Sequence, residues 1–259
     1  SSGGSSSGAA ADAGAGDGST ALCATKIVVA PSNPVLNDFE AYTGATAFLA
    51  STPFGPAYPN GGYTGPYAYS GGGPQLNEAG TNYVLSMVTG QTGGTLEGGA
   101  QDWALDLTVT DESGFGAGLG FWMTCANASA FRGLSFWVRG QTPTGAVAVQ
   151  LQTADTTSTT ASQPGTCTGT CAHPSATVLG DAAIPVGPSW TQITLPWAAF
   201  TGGTRNGAAY TPTGDNLTGL VFTTGLVYTQ VDAAADGAAI YGPTPANIDL
   251  QIDDVAFVP

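Results

Sequence analysis

Glycoside hydrolysis requires two carboxyl groups flanking one bond, and the four glutamates of this chain, Glu40, Glu78, Glu97 and Glu112, stand singly. Asp111 and Glu112 are adjacent but fall in a stretch that reads as a turn, where a solvated charge pair is expected. His173, the one histidine, would have to serve any Ser-His-Asp triad, and it sits beside Cys171 and Pro174. No GxSxG elbow, HExxH pair or phosphate loop ending in Lys-Ser/Thr occurs. Gly114–Gly120, GFGAGLG, has the glycine density of a dinucleotide loop but reads as a turn-rich link, with no βαβ context around it. The chain is therefore expected not to be an enzyme.

Cys23, Cys125, Cys167 and Cys171 allow three complete pairings. Cys167 and Cys171 are close enough to staple a loop, which leaves Cys23 with Cys125. The chain-entropy model gives that longer bridge about 4–5 kcal/mol. Four free thiols are the alternative, as is zinc held by Cys167, Cys171 and His173 in CTGTCAH, although the spacing is neither CxxC nor CxxCH.

Binding chemistry is better represented. In Phe131–Gln152, Leu134, Phe136 and Val138 alternate with Ser135, Trp137 and Arg139; Val147, Val149 and Leu151 then alternate with Ala148, Gln150 and Gln152. A period of two with β-branched and aromatic residues predicts strands with one buried face. Gly140 to Gly145, containing Pro143, reads as the turn of a hairpin. On that reading Trp137, Arg139, Gln150 and Gln152 share one wet face, with Tyr228 as a neighbour. A flat ring stacks on the C–H faces of a sugar, and Gln and Arg hydrogen-bond its hydroxyls. Trp190 and Trp197 are expected in the core.

The elements that position these residues are short strands. Val35–Glu40, Tyr83–Val88, Trp103–Val109, Phe121–Cys125, Trp190–Leu195, Leu217–Thr223 and Ile248–Val258 carry strand-like patterns, and the 39 glycines and 17 prolines suit the turns between them. Residues 51–80 form a long Gly/Pro insert holding Phe54, Tyr58, Tyr63, Tyr67 and Tyr69, either a binding surface or a cap on the core. Residues 153–188 form a Thr/Ser/Pro-rich excursion pinned by cysteines. Residues 1–22 are a Gly/Ser/Ala tract, a flexible tether or an assembly tail, and residues 23–259 are expected to form one β-sandwich domain.

Only 8% of residues are charged, against about 25% in ordinary domains. Lys26, Arg132, Arg139 and Arg205 are the only cations in a chain of net charge −14, which excludes nucleic-acid backbones and disfavours anionic lipid. No apolar run approaches the ~20 residues of a membrane span, so no membrane insertion is expected. Neutral polymers, cations and further copies of the chain remain as partners.

NDFE (Asn37–Glu40), CANASAFRGLSFWVRG (Cys125–Gly140), WTQITLPWAAF (Trp190–Phe200), the Gly202-Gly203 turn and IDDVAF (Ile252–Phe257) occur in that order. The ordered set resembles the galactose-binding-like jelly-roll sandwich of carbohydrate-binding modules in bacterial secreted proteins, over residues 35–259. The resemblance implies an all-β fold, a two-sheet antiparallel jelly-roll sandwich. It also implies a structural Ca²⁺ where first and last strands meet, at Asp38, Glu40 and Asp253; oxygen ligands at a strand junction suit that ion.

The expected function is non-catalytic binding of a neutral polysaccharide or glycan, outside the cell or at its surface. The alternative is a self-assembling subunit of an extracellular filament or layer, whose Ile27–Ala30 segment is donated to a neighbour's sheet edge. Residues 1–22 resemble the spacer behind the lipidated cysteine of a bacterial surface lipoprotein.

Overall fold

The computed structural model describes residues 23, 26–39, 64–70, 83–92, 102–114, 116–161, 165–233 and 239–259. In chain order these form β1 (Ile27–Val28), β2 (Val35–Asn37), β3 (Thr64–Ser70), β4 (Tyr83–Thr89), β5 (Trp103–Glu112) and β6 (Ala117–Asn127). There follow β7 (Gly133–Gln141), β8 (Ala146–Thr153), β9 (Ser175–Ala176), β10 (Val178–Leu179), β11 (Ala182–Pro185) and β12 (Thr191–Pro196). The remainder are β13 (Gly203–Arg205), β14 (Ala208–Tyr210), β15 (Leu217–Thr224), β16 (Tyr228–Ala233), β17 (Ala239–Pro243) and β18 (Ala246–Val258).

Two sheets face each other. The larger, of eight strands, runs β1-β6-β15-β8-β11-β10, with β3 also on β6 and β9 also on β8. The smaller, of six, runs β12-β7-β18-β5-β4, with β2 also on β18. Pairing is antiparallel except for β1 with β6, and the architecture is the two-sheet jelly-roll sandwich expected from the sequence. The inner rows close the core. Leu119, Phe121, Val149, Leu151, Leu220 and Phe222 from the larger sheet pack with Leu105, Leu107, Phe136, Leu250 and Ile252 from the smaller. Phe136 and Phe222 meet edge to face across the gap, with ring centroids 4.8 Å apart. Truncating either ring would cost about 3–5 kcal/mol.

The alternation in Phe131–Gln152 is present, with Leu134, Phe136, Val138, Val147, Val149 and Leu151 all buried. The hairpin is not. β7 pairs with β12 and β18, and β8 pairs with β15, β11 and β9, so the chain crosses from one sheet to the other between them. Period-two patterning fixes only that each strand buries one face. It is equally satisfied by a hairpin in one sheet or by two strands facing each other across a core. Gly140, at φ 138°, marks the departure, since a Cβ there would overlap the Asp249 carbonyl. The crossing is fastened by Gly140 N–H to the Gly187 carbonyl (2.8 Å) and Val186 N–H to the Gly145 carbonyl (2.9 Å).

Other expectations are revised. Ile27–Val28 is built into the chain's own larger sheet, opposite Ala126 and Asn127, and Val29 is fully buried. The stretch 64–70 of the supposed insert is β3, and 117–120 of the supposed link belongs to β6. Glu112 ends β5 fully buried, accepting from the Ser70 hydroxyl and from Gly114 N–H (2.9 Å), rather than standing in solvent. Cys23 bonds Cys125 and Cys167 bonds Cys171, which removes the zinc and free-thiol alternatives.

Candidate functional site

The site follows from how β6 spends its residues. Leu119, Phe121 and Met123 point into the core, so Gly118, Gly120 and Trp122 occupy the outer face of the larger sheet. The register sets three rows across that face. Tyr69, Gly118, Thr223 and Ala148 form one. Tyr67, Gly120, Val221, Gln150 and Ser175 form the next. Gly65, Trp122, Gly219 and Gln152 form the third. Rows two residues apart on a strand are about 6.8 Å apart. None of these positions carries a charged side chain.

Glycine in a strand interior marks a close approach of something else, and here that something is tyrosine. A Cβ on Gly120 would fall 2.6 Å from the Tyr67 Cζ, and one on Gly118 would fall 2.8 Å from the Tyr69 Cζ. Both rings therefore lie down over β6. Burial pushes the Tyr67 phenol up to about 12, with the Tyr69 phenol adding to the rise and a side-chain hydrogen bond with Gln152 opposing it. Burial also raises Tyr69. Both stay neutral across the physiological range. Trp122 is 43% exposed, between Gly65 on β3 and Gly219 on β15, so neighbouring side chains do not wall it in. The face offers three aromatic rings, half-buried Gln150 and Gln152, and hydroxyls from Thr223 and Ser175. It can stack on apolar ring faces and hydrogen-bond neutral hydroxyls.

The expected site residues divide between two faces. Gln150 and Gln152 lie on the face just described, whereas Trp137 and Arg139 lie on the outer face of the smaller sheet. There Trp137 stands between Gln192 and Asp253. Arg139 sits over the Trp190 ring at 4.6 Å and donates through Nε to the Gln251 side chain, and through Nη2 to the Thr89 carbonyl at 3.4 Å. Arg139 is thus engaged within its own sheet. Tyr228 opens β16 outside both main sheets, 52% exposed, with its hydroxyl 3.5 Å from the Gly114 carbonyl. Trp197 is buried and donates to the Phe131 carbonyl at 2.8 Å.

The calcium reading is not supported. Among the described residues no group of three or more His, Cys, Asp or Glu side chains is placed to hold a metal ion. Asp253 is fully buried, and its two oxygens accept from Gln91 N–H and Asp254 N–H, both at 2.8 Å. Its carboxylate serves the backbone at a bulge of β18, next to Asp254 at φ 46°. Asp38 is half-buried, and Glu40 lies outside the described residues. His173 meets the Thr156 hydroxyl at 2.7 Å, and Thr156 is 2% exposed, so this pair offers no accessible nucleophile.

Trp122 escaped the sequence reading, and Tyr67 and Tyr69 were legible only as aromatics of an insert. The available signal was the alternation in GLGFWM, in which glycine and tryptophan take every outward place.

No family model matches the chain, and no curated protein matches it. Among solved structures it is similar to the family 11 carbohydrate-binding module of a cellulosomal cellulase of Clostridium thermocellum. Identity is 15% and the TM-score 0.42, covering 86% of this chain and 92% of that one. The Clostridium thermocellum module in complex with a β-1,3-1,4-mixed-linked tetrasaccharide gives 15% identity and a TM-score of 0.42, covering 87% and 94%. A cleaved adhesin domain of Lys-gingipain from Porphyromonas gingivalis gives 11% and 0.30, covering 74% and 97%.

Proposed function

We propose that this protein binds a neutral carbohydrate chain along the outer face of its larger sheet and does not transform it. The observation that carries this reading is the uncharged array of Tyr69, Tyr67 and Trp122 in three successive rows, flanked by Gln150 and Gln152. Rings in rows about 6.8 Å apart suit several units of one linear chain better than a single terminal sugar. Stacking contributes about 0.5–1.5 kcal/mol per ring beyond area burial, so affinity accumulates along the chain. Two disulfides support an oxidising compartment, outside the cell or at its surface. A neutral polysaccharide is a fitting partner for a face without charges.

The test is calorimetric titration with soluble mixed-linkage β-glucan, galactomannan, xylan and cellohexaose. Binding to at least one is expected, and Trp122→Ala should weaken it about tenfold, equivalent to roughly 1.4 kcal/mol. Failure of the wild type to bind any neutral glycan would end the proposal.

A further inference from the structure

Gln152 and Tyr67 stand on strands separated by two others, β6 and β15, yet both side chains reach over those strands, and the Gln152 side chain opposes the rise of the Tyr67 phenol. Strands are about 4.8 Å apart, so neither side chain spans the gap alone. Each lies flat and crosses one intervening strand at a glycine. The Tyr67 ring crosses β6 at Gly120, where a Cβ would stand 2.8 Å from its hydroxyl oxygen. The Gln152 side chain crosses β15 at Gly219, where a Cβ would stand 3.1 Å from its Cδ and nearer still to its Oε1. Gly219 is also the cross-strand neighbour of Trp122. The Gln152 amide therefore reaches the middle of the face, beside the Tyr67 hydroxyl and next to the Trp122 position.

We infer that Gln152 reads the hydroxyls of the bound sugar at the centre of the face, delivered there because Gly219 has no side chain and held there by the Tyr67 hydroxyl. This rests on the carbohydrate reading of the same face and assigns its specificity to one amide. A primary amide has two donors and two acceptor lone pairs. With one group engaged by the phenol, the rest is presented in a fixed direction between aromatic rings. An ordered donor loses less rotamer entropy on binding than a free glutamine. Tyr67 is in this respect a positioning residue acting through Gln152.

Gly219→Ala is the sharpest probe. The closest obstacle to its methyl is the end of the Gln152 side chain, which can swing away, while the Phe121 carbonyl oxygen, at 3.1 Å, need give by only a few tenths of an ångström. The full chain would be compared with Gly219→Ala, Tyr67→Phe, Gln152→Ala and Tyr67→Phe/Gln152→Ala, using whichever of the four glycans named above binds the wild type. Two readouts are needed: the dissociation constant, and the Gln152 side-chain amide resonances in a ¹⁵N–¹H NMR spectrum without ligand. Gly219→Ala and Tyr67→Phe should each weaken binding about five- to tenfold and move those resonances toward free-glutamine positions. Tyr67→Phe should cost nothing more once Gln152 is Ala. An equal loss in both backgrounds would show that the phenol acts on the sugar directly and would overturn the inference. Unmoved amide resonances in Gly219→Ala would overturn it as well, even with glycan binding intact. A wild type that binds none of the four would remove the underlying carbohydrate reading, and the wild-type titration alone reveals that.

Discussion

Trp137 and Gln150 lie on opposite outer faces of the sandwich, Trp137 on β7 beside Gln192 and Asp253, Gln150 on β8 beside Val221 and Ser175. One ligand cannot touch both. Gln150→Ala should therefore weaken glycan binding severalfold, whereas Trp137→Ala should leave the dissociation constant within about twofold, because distant sites act independently. Equal losses from the two substitutions, measured by titration on folded protein, would show that the binding face is wrongly placed.

Asp106, on β5, is 6% exposed, and burial pushes its carboxyl up to about 6, with Asp249 adding to the rise. A folded-state value above the unfolded one of about 3.9 means that the native chain holds a proton the unfolded chain releases. The resulting stability is complete below about pH 4 and is lost as pH rises through about 6. The protein should melt higher at pH 4.5 than at pH 7.5. Asp106→Asn, whose amide can donate toward Asp249 as the protonated acid does, should reduce that difference, leaving the part due to Asp253, whose carboxyl burial pushes up to about 7. A variant whose melting temperature follows pH as steeply as the wild type would refute the assignment.

The two disulfides close loops of very different size, with sequence separations of 102 and 4. The chain-entropy model assigns them about 5 and about 2 kcal/mol respectively. Replacing Cys23 and Cys125 by Ser should lower the denaturation midpoint clearly more than replacing Cys167 and Cys171. The first bridge also ties the chain before β1 to β6. An order reversed in guanidinium titrations would indicate that the short bridge holds the 153–188 excursion in place by more than loop closure.

The buried rows of β7, β8 and β18 were legible because Leu134, Val149 and Ile252 belong to runs alternating with period two. Both cysteine pairs followed from spacing. What sequence did not disclose was the sheet to which each strand belongs. That depends on how the chain leaves Gly140, and the alternation on either side is the same for both outcomes. β3 was hidden because TGPYAYS contains Gly and Pro, which ordinarily end strands. The glycines of β6 suggested a turn because their partners, Tyr67 and Tyr69, are distant in sequence. Glu112 looked solvated because nothing local announces that Ser70 covers it.

Gly118 offers a test of that packing independent of any ligand. A methyl there would stand 2.5 Å from the Phe222 carbonyl oxygen on β15 and 2.7 Å from the Tyr69 hydroxyl. Whereas the closest obstacle at Gly219 is the end of a side chain, the closest here is backbone of a paired strand and cannot swing aside. Gly118→Ala should therefore cost about 1–3 kcal/mol, the usual range for an overpacked site. It should also lift the Tyr69 ring from the sheet and bring its ionisation midpoint, followed by absorbance near 295 nm, down toward about 10. A stability loss without any change in tyrosine titration would mean that the ring is not resting on this glycine. Unchanged stability would mean that β6 and β15 are not as close as their register requires.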